Sequence, residues 1–123
     1  MELHIDIPWL LERQAELLPE QPAVNDYSAL VAAVARHRVN TPRLGEEPDA
    51  AWRAAALLHT TVLLKPLPAR NELFGAGLAT AYMHASEEGI APPYGALIDL
   101  VRAIRTTGLD VYGTAHLLRS WRI

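Results

Sequence analysis

The chain has 123 residues, of which 50% are hydrophobic and 20% are charged, and its formal net charge is −3 at pH 7. This balance excludes a disordered chain and predicts one globular domain, residues 1–123. The absence of cysteine excludes disulfides and thiolate metal sites. The sequence contains no cluster of Lys or Arg of the kind that indicates direct binding of nucleic acid.

The start of the chain, MELHIDIPWLLERQ, lacks the basic segment and apolar core of a signal peptide. No apolar run approaches the ~20 residues that are needed to span a bilayer. We therefore expect a cytoplasmic protein that makes no membrane contact.

A short extended segment and a helix are predicted at the N-terminus. Hydrophobic and polar residues alternate over Leu3–Ile7, which indicates a very short strand or an extended lead-in. Asp6 is a suitable N-cap and Pro8 a suitable first-turn residue, so a helix should run from there to about Leu18.

The second helix is predicted to begin after Asn25-Asp26 and to fade near Arg38. Apolar residues follow this cap at the helical spacing i, i+3, i+4, i+7. The polar segment Asn40–Pro48, which contains two prolines and a glycine, reads as a surface loop.

The third helix, Ala50 to about Leu64, is capped by Asp49 and is apolar nearly all round, so it belongs in the centre of a bundle. The prolines of Lys65–Arg70 cannot continue it. A fourth helix should resume with Asn71 as its N-cap and end at Gly89. Its predicted buried stripe is Phe74, Leu78, Ala81, Tyr82 and Ala85.

Two more helices complete the prediction. One opens at Pro92-Pro93 and closes at Gly108. The other runs from about Tyr112 to Trp121 and presents Ala115, Leu118 and Trp121 to the core. The fold class is therefore all-α, a bundle of five to six helices with a short extended N-terminal segment.

The histidines have no metal-ligand spacing, so no metal site is predicted. The segment KPLPARNE, residues 65–72, is different, because a rigid loop followed by a capped helix can hold an anion at the exposed N–H groups. The candidate nucleotide- or anion-binding residues are Lys65, Arg70, Asn71 and Glu72. An ordinary proline-kinked helix connection would have the same pattern.

Residues 52–90 resemble the centre of the Fic/Doc family, especially its Doc branch of small all-α bacterial toxins. AAALLHTTVLL is similar to the helix before the family loop, and KPLPARNEL falls on the nine positions of H-x-F-x-D-G/A-N-K/G-R. FGAGLATAYMHASEEGI is similar to the following helix. GLDVYGTAHLLRSWRI resembles the Doc tail, so the resemblance covers most of the chain.

The resemblance implies transfer of AMP, or in Doc of a phosphate, from a nucleotide to a protein hydroxyl; the target of Doc is a threonine of elongation factor Tu. The family histidine is the general base, the acid holds Mg²⁺ and the arginine clamps phosphate. Here Lys65 stands at the base position, Ala69 at the acid and Leu73 at the arginine. Only Asn71 matches among the catalytic positions. A lysine is normally protonated at neutral pH and would not accept a proton.

Three functions remain open on these grounds. The first is a Fic/Doc-type toxin component that lacks the transfer reaction and binds a cognate antitoxin, with a protein of the translation machinery as a possible target; Trp9 and Leu17 are candidates for the antitoxin groove. The second is an active transferase, requiring ATP and Mg²⁺, in which His59 or His84 replaces the base. The third is a structural bundle of unrelated ancestry.

Overall fold

The computed structural model describes residues 2–43 and 47–123. Within these ranges the protein is an all-α bundle of six helices, as the apolar periodicity predicted, with no sheet. Residues 3–6 form a lead-in without strand pairing, and Ile7, the last residue of the predicted extended segment, already belongs to the first helix. One isolated antiparallel bridge joins Ile90 to Arg122. The helices are α1 Ile7–Leu17, α2 Tyr27–His37, α3 Ala50–Leu64, α4 Asn71–Ala85, α5 Ala96–Thr106 and α6 Val111–Ser120.

Four of the helices begin at an aspartate whose carboxylate accepts a backbone N–H of the first turn. The caps are Asp6 for α1, Asp26 for α2, Asp49 for α3 and Asp110 for α6. Each satisfies one of the amide groups that a helix start leaves without a partner. The sequence-based starts at Asp6 and Asp49 are confirmed.

The predicted central position of α3 is confirmed. All residues from Ala51 to Val62 are buried, and α3 packs against α2, α4 and α6. The buried guanidinium of Arg53 donates hydrogen bonds to the carbonyls of His37 and Val39 and to the carboxylate of Glu2. A charged residue in the central helix is therefore fully partnered, as burial requires.

Helices α3 and α4 approach closely just beyond the loop that joins them. A Cβ on Gly75 would lie 3.1 Å from Leu58 Cδ1 and 3.3 Å from the Leu58 carbonyl oxygen. Phe74, Leu78 and Tyr82 are buried in α4 as predicted. Of the other two residues of the predicted stripe, Ala81 is only partly buried and Ala85, the last residue of α4, is exposed.

Two predicted helix boundaries are wrong. Helix α4 ends in a Schellman turn in which Glu87, not Gly89, has the left-handed backbone (φ +63°), and the Glu88 N–H donates to Met83 O at 2.9 Å. Helix α5 begins at Ala96 rather than at Pro92-Pro93. The prolines lie in a separate segment because the Ala91 N–H is bonded to Trp121 O at 2.8 Å.

The last helix is close to its prediction. Ala115 and Leu118 are buried, and Trp121 packs half-buried against the core. Trp121 is the C-cap of α6 rather than a residue within it.

Candidate functional site

The α3–α4 loop, residues 65–70, begins and ends in left-handed backbone. Lys65 has φ +50° and Arg70 has φ +63°, although neither is glycine. Such conformations cost roughly 1 kcal/mol or more each for residues with a Cβ. The loop persists in this form because neighbouring groups fix it.

The side chain of Asn71 fixes the shape of the α3–α4 loop by hydrogen bonding to the loop backbone. Its Oδ1 accepts the Leu67 N–H at 2.9 Å and its Nδ2 donates to Leu67 O at 2.9 Å. The N-cap of α4 is Arg70, which makes no side-chain cap bond, so the prediction of Asn71 as N-cap is wrong. The Asn71 amide instead satisfies both backbone groups of the buried Leu67.

The linker between α1 and α2 supports the loop from the side. The Pro66 carbonyl accepts the N–H groups of Asn25 at 2.8 Å and Asp26 at 3.2 Å. The exposed pair Arg70–Glu20 adds a contact at 3.1 Å. The loop is thus part of a hydrogen-bonded assembly with a segment more than 40 residues earlier, and its prolines do not act as a free hinge.

A cleft of about 270 Å³ opens over the loop and the start of α4. We call it the loop cleft; it is lined by Val62, Lys65, Pro68, Ala69, Arg70, Asn71, Glu72 and Arg105. Glu72 pairs with Arg105, Oε1 to Nε, at 2.8 Å. Among the described residues no carboxylate lies within ion-pair distance of Lys65. Within the described part of the chain, the positive charge of Lys65 in the loop cleft is therefore not compensated by a carboxylate.

The structure brings the four predicted site residues together. Lys65, Arg70, Asn71 and Glu72 all line the loop cleft, and Lys65 is exposed. The amide of Asn71 is turned to the loop backbone. The arrangement can attract an anion, since cations and the first N–H groups of α4 meet there.

Neither histidine named as a replacement base lies at the loop cleft. His59 Nδ1 accepts a hydrogen bond from Arg36 Nη1 at 3.0 Å, and its Nε2–H donates to Leu109 O at 3.1 Å. Burial, together with the Arg36 guanidinium, lowers the pKa of His59. His84 is exposed in the last turn of α4, at the end opposite the loop. In this structure neither imidazole lines the loop cleft, and a role as general base for either histidine stays a prediction.

The residues predicted for an antitoxin groove on α1, Trp9 and Leu17, are partly buried rather than exposed. Leu17 packs so closely over α4 that a Cβ on Gly77 would meet its Cδ1 at 2.3 Å. Trp9 is half-buried, and the guanidinium of Arg13 lies 5.0 Å from its ring centroid. Leu17 is thus part of the packing between α1 and α4.

A second concavity lies between α4 and α5, and the sequence did not predict it. This α4–α5 groove has a volume of about 380 Å³ and is lined by Glu72, Leu73, Ala76, Leu97, Ile98 and Val101. Leu73 is 45% exposed and Ile98 64% exposed. Ile98 lies next to the buried stripe of α5. The apolar face of this helix is therefore wider than its core contact requires, and that excess could have indicated the groove from the sequence.

Comparisons with known proteins place no constraint on the family. No model of a known protein family matches the chain, and a search of curated proteins finds no match. In the described part of the chain no helix has the length and apolar character needed to cross a membrane. Residues 2–43 and 47–123 contain no group of three or more His, Asp or Glu side chains placed to hold a metal ion.

Proposed function

We propose that this chain is a Fic/Doc-type toxin component of a bacterial toxin–antitoxin pair that acts by binding protein partners and lacks the nucleotide-dependent transfer reaction. The observation that carries the proposal is the state of Asn71, the one motif residue retained. Its amide holds the backbone of Leu67 at 2.9 Å on both sides. The loop keeps a fixed backbone conformation, although the residues that would carry the family reaction are replaced.

The arrangement of the neighbouring elements supports the same conclusion. The central helix α3, the short proline loop and α4 pack against one another, and a cleft opens over the loop. This is the order that the resemblance implies for a Fic/Doc protein.

The replaced positions argue against the family reaction. Ala69 has no oxygen with which to hold Mg²⁺. Leu73 stands at the position of the family arginine that clamps phosphate oxygens. Its side chain lines the apolar α4–α5 groove instead. Removing one such transition-state contact costs on the order of 10²–10³ in rate. Loss of the base, the metal ligand and the clamp together removes the means of catalysis.

The excess positive charge of the loop cleft favours a second candidate, an active transferase that uses ATP and Mg²⁺. In that case Lys65 would contact the phosphates. The hydroxyl proton would be accepted by a residue that does not line the loop cleft in this structure. The modified protein would be a target such as elongation factor Tu.

Two measurements test the proposed function. The full chain is co-expressed with the product of the adjacent gene, and we expect the two proteins to purify as a stable complex. The purified chain is also incubated with a bacterial lysate and radioactive ATP with Mg²⁺, and we expect no labelled protein beyond that in a lysate-only sample.

The transferase candidate has its own signature. Label on a discrete lysate protein, lost in Lys65→Ala and kept in the matched control Arg102→Ala on exposed α5 surface, would establish transfer and reject the binding-only function. Failure of the adjacent gene product to bind would reject the toxin–antitoxin assignment.

A further inference from the structure

A third concavity lies between α6 and the first turn of α3. We call it the basic cleft; it has a volume of about 220 Å³, and its described lining is Arg43, Trp52, Tyr112, Ala115, His116 and Arg119. None of these lining residues is acidic. The loop cleft follows the last turn of α3, so the two clefts lie at opposite ends of this helix. What the basic cleft binds is therefore independent of the proposed function.

Helix α6 supplies one wall of the basic cleft through a single stripe of side chains. Tyr112, Ala115, His116 and Arg119 follow one another at i, i+3, i+4 and i+7, a spacing that places them on the same helix face. Ala115, the shortest of the four, is buried, whereas His116 is exposed. The stripe thus brings an imidazole and a guanidinium to one concavity.

Both guanidinium groups of the basic cleft are held in position by other residues. Arg119 donates from Nε and Nη2 to the two carboxylate oxygens of Asp49, at 2.6 and 2.9 Å. Arg43 Cζ lies 3.5 Å from the centroid of the Tyr112 ring, and the Tyr112 hydroxyl donates to Pro42 O at 2.7 Å. A guanidinium that is already oriented loses less conformational freedom when it binds an oxyanion.

The indole of Trp52 adds a donor that lacks an acceptor. Trp52 is 5% exposed, and its Nε1–H has no hydrogen-bond partner in the part of the chain that the structure describes. Buried polar groups in native proteins nearly always have a partner, and an indole N–H can only donate. Asp49 Oδ1 accepts the Trp52 backbone N–H at 2.9 Å, so the same carboxylate positions Trp52 and Arg119.

We propose that the basic cleft binds a phosphate group. Its oxygens accept hydrogen bonds from the guanidinium groups of Arg43 and Arg119, from His116 and from the Trp52 indole. Guanidinium forks match phosphate oxygens, and a dianion gains more from two of them than a carboxylate does. The volume of about 220 Å³ is below the ~300–1,000 Å³ of pockets for drug-sized ligands. The cleft therefore suits the phosphate group itself and not a whole nucleotide.

The test observes the indole directly in the full chain labelled with ¹⁵N. The three tryptophans give three indole N–H signals in a proton–nitrogen correlation spectrum. Trp9→Phe and Trp121→Phe identify two of them, so the Trp52 signal is assigned without changing the buried residue. Inorganic phosphate at constant ionic strength should shift the Trp52 signal saturably, with a Kd of about 1 mM or below. Sodium chloride and acetate at the same ionic strength should leave it in place.

Variants at two exposed positions of the basic cleft test which side chains bind phosphate. Arg43→Gln should weaken phosphate binding roughly tenfold, because it removes a charge-assisted contact. His116→Gln, which keeps a donor but no ring, should weaken it about threefold. The matched control Arg102→Gln removes one charge from the exposed surface of α5, outside the cleft lining. Its effect should be less than about twofold, since distant exposed charges are screened. Circular dichroism confirms that each variant is folded.

The source of the phosphate is identified with two further probes, each compared with its unphosphorylated form. Tighter binding of glycerol phosphate indicates a small metabolite, and tighter binding of a phosphoserine peptide indicates a phosphorylated protein. A Trp52 signal that stays in place at tens of millimolar phosphate overturns the proposal, as does an equal shift with chloride or acetate. Equal weakening by Arg43→Gln and Arg102→Gln would also overturn it, because only the overall charge would then matter.

Discussion

At the scale of single residues, Asn71 connects the loop sequence to the loop shape. Both polar atoms of its side chain are bonded to the backbone of Leu67, which is 2% exposed. Removing the amide would leave a buried N–H and a buried C=O without partners, and such groups cost ~1–3 kcal/mol each. Asn71 therefore has a structural reason to be present even where no reaction takes place.

Asn71→Ala should lower the free energy of unfolding by about 2–4 kcal/mol. Urea denaturation followed by circular dichroism measures it. The matched control is Asn25→Ala, an exposed position that supports the loop through its backbone N–H, and it should change stability by less than about 0.5 kcal/mol. Equal effects of the two substitutions would contradict the role assigned to the Asn71 amide.

Glu87 holds the left-handed position at the end of α4 with φ +63°. Glycine adopts this conformation without steric cost, so Glu87→Gly should raise the free energy of unfolding by about 0.5–1 kcal/mol. The opposite substitution serves as the control, because Gly95 has φ +80° and no atom within 4 Å of an added Cβ. Gly95→Ala should destabilise through backbone strain alone. A loss of stability in Glu87→Gly would mean that its side chain, not its backbone, matters.

At the scale of elements, the approach of α3 to α4 fixes the position of the loop between them. Gly75 permits this approach because a Cβ would already lie 3.3 Å from Leu58 O and from Val62 Cγ2. A larger side chain must separate the two helices or distort their rotamers. The loop and its cleft are therefore sensitive to a residue that does not line them.

Gly75→Val should destabilise the protein by about 1–3 kcal/mol, the usual cost of overpacking a close helix contact. Thermal denaturation gives the size of the effect. Ala76→Val, one residue on and facing the α4–α5 groove, is the control and should cost far less. If both variants melt together with the unchanged chain, α3 and α4 are not in close contact.

At the scale of the whole molecule, His37 joins the N-terminal lead-in to the helical bundle. Its Nε2 accepts the Ile5 N–H at 3.0 Å, while its Nδ1–H donates to Val34 O. Burial lowers the pKa of His37 to about 4, and Arg38, His4 and Arg53 oppose protonation further. The folded protein thus requires a neutral imidazole at this position.

The stability of the whole molecule should therefore fall in acid. Since the folded pKa of about 4 lies below the ordinary value, the unfolded chain binds more protons between about pH 6.5 and 4. The His37 contribution is complete above that window and is lost as the pH falls through it, with a slope of up to about 1.4 kcal/mol per pH unit. His59, whose pKa is also lowered, acts in the same direction.

Denaturation midpoints between pH 4 and 7.5 check this prediction. His37→Gln should be less stable at neutral pH and should show a flatter dependence on pH. His116→Gln, at an exposed position, should keep the slope of the unchanged chain. A slope that persists in His37→Gln would assign the effect to His59 or to another group.

The six helices follow from the sequence, because the apolar spacing of each segment and the Asp caps are local signals. The apolar circumference of residues 50–64 was sufficient to predict a central helix. The break at Lys65–Arg70 follows equally from its prolines. These features depend on neighbours within one or two turns, so they need no knowledge of the tertiary structure.

The tertiary structure decided what the side chains do. The role of Asn71 depends on where Leu67 folds back, the partner of Pro66 O is the backbone of a linker 40 residues away, and the position of His59 depends on Arg36 and Leu109. Likewise, the α4–α5 groove exists only because two helices from separate segments meet with Leu73 and Ile98 left uncovered. Contacts between distant segments set the environment of each of these groups. The spacing of residues along the chain does not indicate which distant segments will meet.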